Sequence, residues 1–193
     1  MDALVTLLTN RRAWPILEVD ERVALDPGPL VWPTSGVNAF AAGINRDYMD
    51  LRKATWQDAI EATQLEQGLF VELEGQLLAG RTFEEALSLA EDDFLQEDIE
   101  GLDFGISAAV LTLNAMGFPT IYSCSGHGTS YPFVSFWCRK VQVPLFIDVA
   151  TSAKIGLING NDGCVEVFSD DFRGLLRFAL TIQPRRNEFQ RSR

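Results

Sequence analysis

The stretch TIYSCSGHGTSYPFVSFWC, Thr120 to Cys138, holds the only histidine of the chain and two of its three cysteines. Cys124 and His127 stand three apart, a spacing a tight loop can close to hydrogen-bond reach. The imidazole could then lower the thiol pKa and make Cys124 a nucleophile. His127, near its pKa at neutral pH, can also donate to an anion or carry a proton. Gly126 and Gly128 permit positive φ, which lets successive N–H groups converge on an anion. Ser123, Ser125, Thr129 and Ser130 add donors and acceptors, and Tyr131 with Trp137 would supply an aromatic wall. The expected catalytic residues are therefore His127 and Cys124. The expected ligand contacts are Ser123, Ser125, Gly126, Gly128, Thr129 and Tyr131. The competing reading is a hairpin loop whose Gly and Ser only satisfy the turn, with Cys124 a small packed thiol.

Several familiar chemistries are excluded by spacing. A phosphatase loop needs arginine at the sixth position after its cysteine, and that position is Ser130. Neither GxGxxG nor GxxxxGK occurs, so no glycine-rich nucleotide loop is expected. Cys124, His127, Cys138 and Cys164 could in principle form a Cys3His zinc site, but the usual second close ligand pair is missing. No metal is expected. The acidic stretch EDDFLQEDIEG lacks the oxygen spacing and central glycine of a calcium loop.

The elements that must position this loop follow from periodicity and caps. Residues 1–53 give weak signals: helices near Ala3–Thr9 and Asp47–Lys53, and a proline-broken extended piece at Leu30–Trp32. TWQD opens a long helix with Thr55 as cap, and Leu65, Leu69, Leu73 and Leu77 mark one face. Gly80 ends it, and TFEE starts the next helix, with Leu87, Ala90 and Phe94 inward. The two helices are expected to pair antiparallel or to pack across the sheet. Asp103 should cap a helix through Met116, with Ile106, Val110 and Leu113 on one face and Gly117 as stop. PTIYSC and PFVSFWC read as strands, Pro144 opens a helix to about Lys154, and KIGLI and CVEVF flank the turn NGNDG. Ser169 or Asp170 should cap a last helix with Phe172, Leu175, Leu176 and Ala179 inward. The order αββαββα predicts an α+β fold, a mostly antiparallel sheet of four or five strands with helices on one face. The alternative is a mixed sheet with some parallel pairing. A single domain is expected: residues 1–100 mainly helical, 101–183 the α+β core, and 184–193 a mobile basic tail carrying four arginines.

A chain of 193 residues with 47% apolar residues can bury a core without disulfide or metal help. Its net charge of −11 opposes binding to nucleic acid and to anionic membranes. No run approaches the length of a membrane helix. The opening MDALVTLLTNRRAWP does not read as a secretory signal, and an odd cysteine count fits reduced thiols. A cytoplasmic protein is the expectation.

The segment GLDFGISAAVLTLNAMGFPTIYSCSGH resembles the region around the cysteine-serine-glycine loop of the wybutosine-synthesising tRNA methyltransferases. Asp103, Asn114, Thr120, Ser123, Cys124, Ser125 and Gly126 match that outline over about 25 residues. Tyr122 stands where the family has a serine, and His127 where it has an arginine. The resemblance implies a transferase using S-adenosylmethionine and a ligand-facing role for Ser123, Cys124, Ser125, Gly126 and His127. Its tRNA substrate does not suit so acidic a chain.

Two functions are expected in competition. One is a small-molecule site, polar and partly anionic in its ligand, at the mouth of the first hairpin, with a transferase as the enzyme class by resemblance. The other is a non-enzymatic acidic protein, of inhibitor or immunity type, steered to a basic protein partner by the eight acids between Glu84 and Glu100.

Overall fold

The computed structural model describes residues 44–45, 49–97, 99, 101–126, 131–159 and 164–191. The expected helix at Ala3–Thr9 and the extended piece at Leu30–Trp32 lie outside them.

A short ribbon comes first: β1 (Ile44–Asn45) and β2 (Met49–Asp50) pair antiparallel, and a single 3-10 turn, Leu51–Lys53, follows. The described part of the expected helix at Asp47–Lys53, residues 49–53, is therefore corrected to a strand end plus a 3-10 turn. In so short a stretch, strand pairing with β1 and burial of Leu51 in the core prevail over helix nucleation.

Helix α1 (Trp56–Leu78) starts on a capping box. Asp58 N–H donates to Thr55 Oγ1 at 3.2 Å and Thr55 N–H to Asp58 Oδ2 at 2.7 Å. Its buried stripe is Ala59, Ala62, Thr63, Glu66, Leu69, Phe70, Leu73 and Leu77. Gly80, at φ +92°, provides the left-handed residue that turns the chain. Helix α2 (Phe83–Gln96) opens on the same device, Thr82 with Glu85. Ala86, Leu87, Ala90 and Phe94 of α2 share an apolar cluster with Leu69, Phe70, Leu73 and Leu77 of α1. The two form a helical hairpin.

Helix α3 (Ser107–Ala115) departs from expectation at both its start and its faces. Asp103 is not its cap; Gly105, at φ +89°, turns the chain first, and the helix begins four residues after Asp103. Every residue from Ser107 to Asn114 is buried, not one stripe, because α3 is central to the packing. Its end matches the expected glycine stop: Gly117 has φ +82° and Phe118 N–H donates to Leu113 O at 2.8 Å.

The sheet is α+β as expected and wholly antiparallel, with order β3-β4-β6-β5. Its strands are β3 (Thr120–Cys124), β4 (Phe133–Phe136), β5 (Gly156–Asn159) and β6 (Val165–Phe168). Helix α4 (Val143–Ala153) joins the two hairpins, with a proline in its first turn and left-handed Lys154 at its end. Val134, Phe136, Leu157, Val165 and Val167 point into one cluster with residues of α3, α4 and α5 (Gly174–Ile182). Helix α5 lacks a side-chain cap at its N-terminus; Ser169 Oγ instead accepts from Asp171 N–H at 3.1 Å, and Asp171 Oδ1 accepts from Arg173 N–H at 2.8 Å. The expected cap at Ser169 or Asp170 is thus a turn ahead of the helix. Phe172, Leu175, Leu176 and Ala179 are buried as expected.

The segment expected as a basic tail is helical in its described part. A 3-10 turn, Gln183–Arg185, leads into α6 (Arg186–Arg191). Phe189 of α6 is 1% exposed, with its ring 4.7 Å from Phe146 and 5.7 Å from Phe118. Arg185 pairs with Asp148 at 2.7 Å, and the Arg186 guanidinium lies 4.7 Å over Trp56. Phe189, with these two arginine contacts, holds against the core a segment that composition alone describes as basic and polar.

Candidate functional site

Strand register decides what shares a surface. Tyr122 stands opposite Ser135, and Ser135 opposite Glu166, so the three form one transverse row across β3, β4 and β6. Cys124, Phe133 and Phe168 form the next row. Both rows lie on the face turned away from the core cluster, since side chains alternate and Val134 and Val167 occupy the other face. Tyr122, Ser123, Cys124, Phe133, Ser135, Cys164 and Glu166 line a hollow of about 410 Å³ there.

The polar groups of the hollow are organised. The Ser135 hydroxyl donates to Glu166 Oε2 at 2.9 Å, and Ser135 is 3% exposed although it lies on the outer face. Glu166 is half-buried and Tyr122 is exposed. Among the described residues no lysine or arginine pairs with Glu166. The apolar part is equally ordered: Tyr131 packs against Phe168 at 5.4 Å and Phe133 at 6.2 Å between ring centroids. Phe168 lies directly across from Gly156, whose missing side chain leaves room for the ring; a Cβ there would collide with it.

The loop residues expected to act on a ligand fall into four groups. Cys124 is half-buried and faces the hollow, and Gly126, turned by φ +76°, directs its N–H at Cys124 Sγ at 3.4 Å. Ser123 is 2% exposed and lies opposite the core residue Val134, forming part of the floor; Ser125 is fully buried. Tyr131 reaches this face through its packing on Phe168. His127, Gly128 and Thr129 lie outside the described residues. Cys138 is a packing residue, and burial pushes its thiol up to about 12, far from reactive. Among the described residues no three His, Cys, Asp or Glu side chains are grouped to hold a metal ion.

Sequence reasoning missed Tyr122, Phe133, Ser135 and Glu166, and considered Cys164 only as a zinc ligand. The signal was present in the alternation of PFVSFWC and CVEVF, which puts Ser135 and Glu166 out of phase with the core valines. What it lacked was the pairing of β4 with β6, a contact between distant segments.

A second buried carboxylate belongs to the helices. Glu66 of α1 accepts from Gly105 N–H at 3.0 Å, Ser107 N–H at 2.8 Å and the Ser107 hydroxyl at 2.6 Å, all on Oε1. It supplies from another helix the cap that Asp103 does not. Glu66 is fully buried, and desolvation pushes its pKa up to about 7 against the pull of these hydrogen bonds. Its Oε2 has no hydrogen-bond partner among the described residues, which is where a proton would reside.

The residues that carry the methyltransferase resemblance do not share one cavity. Asp103 lines a separate hollow of about 230 Å³ with Glu91, Phe94, Leu95, Leu102 and Phe104. Asn114 and Thr120 hold each other, with Asn114 Nδ2 donating to Thr120 Oγ1 at 2.8 Å and to Val110 O at 2.8 Å. No helix among the described residues is long and apolar enough to cross a membrane. Comparison with protein-family models, with curated proteins and with solved structures finds no match to this chain.

Proposed function

We propose that the protein binds a small polar molecule in the hollow on the outer face of the sheet, at Ser123 and Cys124. The supporting observation is the pairing of a serine and a glutamate in a wall of aromatic residues and one half-buried thiol, on a sheet face that the core does not use. A volume of about 410 Å³ lies within the range of metabolite sites. If the protein is an enzyme, Cys124 is the group best placed to touch a substrate, with His127 as its acid or base. The resemblance extends this to a transferase only through Ser123, Cys124, Ser125 and Gly126, and S-adenosylmethionine is the cofactor it implies. Native mass spectrometry of the purified full chain tests the proposal. A bound small molecule is expected in the wild type and its loss in Cys124→Trp, which fills the hollow. A ligand retained unchanged in Cys124→Trp, or no ligand together with native iodoacetamide labelling of Cys124 that a metabolite extract fails to slow, would overturn it.

The second reading, an acidic partner for a basic protein, is favoured by α2. Glu84, Glu85, Asp92 and Asp93 are exposed there, with Leu89 38% and Leu95 69% exposed among them. Reversing Asp92 and Asp93 to lysine should slow association with a basic partner, most visibly at low salt. Association insensitive to both the reversal and the salt would remove this reading.

A further inference from the structure

The charge sign of the hollow differs from what its glycine loop suggests. Glycine-rich loops attract anions when their N–H groups converge on open space. Here Gly126 N–H is directed at Cys124 Sγ. What the described wall offers is of the opposite kind. An ionised Glu166 is acceptor-only. Ser135 commits its proton to Glu166, so it too has only lone pairs left to offer. Tyr122 and Phe133 also line the hollow, and the face of an aromatic ring carries the negative side of its quadrupole. Among the described residues no cation lines the hollow, and the chain as a whole carries −11. Carboxylate, hydroxyl lone pairs, ring faces and net field all have the same sign.

We propose that the hollow takes a small organic cation: a protonated amine on a flat apolar body, the nitrogen against Glu166 and Ser135 and the body along Tyr122 and Phe133. This rests on the hollow being the ligand site. Half-burial of Glu166 matters, because an ion pair with a carboxylate withdrawn from water is screened less than one at the surface. Specificity would come from geometry: the row Tyr122, Ser135, Glu166 runs across the strands, so ring and carboxylate lie on either side of the serine.

The test is an NMR titration of the full chain with three probes of one shape: tryptamine, 3-methylindole and indole-3-acetate. Tryptamine should bind about tenfold or more tighter than 3-methylindole, as a charge-assisted hydrogen bond provides, and indole-3-acetate weakest. Glu166→Gln should remove the preference, so that tryptamine and 3-methylindole bind alike. Tyr122→Ala should weaken tryptamine. Equal binding of tryptamine and 3-methylindole by the wild type, or preference for the acetate, overturns the cation while leaving the hollow a ligand site. A tryptamine preference that survives Glu166→Gln overturns it as well, since the net field alone would then be responsible. Binding untouched by Tyr122→Ala, or no binding by any probe, overturns this inference, while the ligand site beneath it stands or falls on the native mass spectrometry of the wild type and Cys124→Trp.

Discussion

Two serine–glutamate pairs sit in two regions of this molecule, and their surroundings make them different objects. Between α1 and α3, Ser107 donates to Glu66 at 2.6 Å inside a fully buried setting, with two backbone N–H groups on the same oxygen. On the outer face of the sheet, Ser135 donates to Glu166 at 2.9 Å, and the carboxylate keeps contact with an open hollow. The first pair has three donors gathered on one carboxylate oxygen and is closed off from solvent. The second has one donor and space for another. A carboxylate enclosed by backbone donors holds elements together; one left half-open on a sheet face is available to a ligand. The residue types are identical, and only enclosure separates them.

The comparison can be broken most decisively at Glu66. Glu66→Ala leaves two N–H groups and a hydroxyl without an acceptor in a buried site, and should cost about 3–5 kcal/mol in urea unfolding. A loss below about 1 kcal/mol would mean the helical pair is not the structural one. Next in size is the pH response. The folded pKa of about 7 lies above the ordinary 4.5, so between these values the folded chain keeps a proton that the unfolded chain has released. The contribution is fully present below pH 4.5 and is lost as pH rises through about 7. Wild type should therefore lose about 3 kcal/mol relative to Glu66→Gln across that window. A constant difference between the two proteins would place the carboxyl at its ordinary pKa.

The sheet face is probed by smaller changes. Gly156→Ala forces the Phe168 ring off its seat across β5 and should cost about 1–3 kcal/mol, with altered ring-proton shifts for Tyr131 and Phe133. Unchanged shifts would mean that the aromatic row does not depend on that glycine. Smallest of all is Glu166→Gln, which should change stability by less than about 1 kcal/mol because the group is half-exposed and singly bonded. A loss comparable to that of Glu66→Ala would erase the distinction between the two pairs.

Local chemistry was legible from the residues themselves. Thr55 with Asp58 and Thr82 with Glu85 formed the expected capping boxes, and Gly80 and Gly117 stop their helices at positive φ. These signals read well because donor, acceptor and turn lie within a few residues of one another. The same locality explains the errors. Asp103 has the right type and place for a cap, but Gly105 turns the chain and Glu66, 41 residues before Ser107, provides the acceptor. The tail reads as solvent-seeking because four arginines outnumber one phenylalanine, yet Phe189 finds Phe118 and Phe146.

The sequence by itself determined the order of the main helices and strands from Thr55 onward, the capping boxes at Thr55 and Thr82, the glycine stops at Gly80 and Gly117 and the α+β class, all set by nearest-neighbour sterics and periodic apolar patterning. Only the tertiary structure decided that β4 lies against β6, that Ser135 therefore meets Glu166, and that Glu66 closes on α3. Each of those contacts joins segments tens of residues apart, and the energy that selects it is burial of whole faces, which no local stretch of residues encodes.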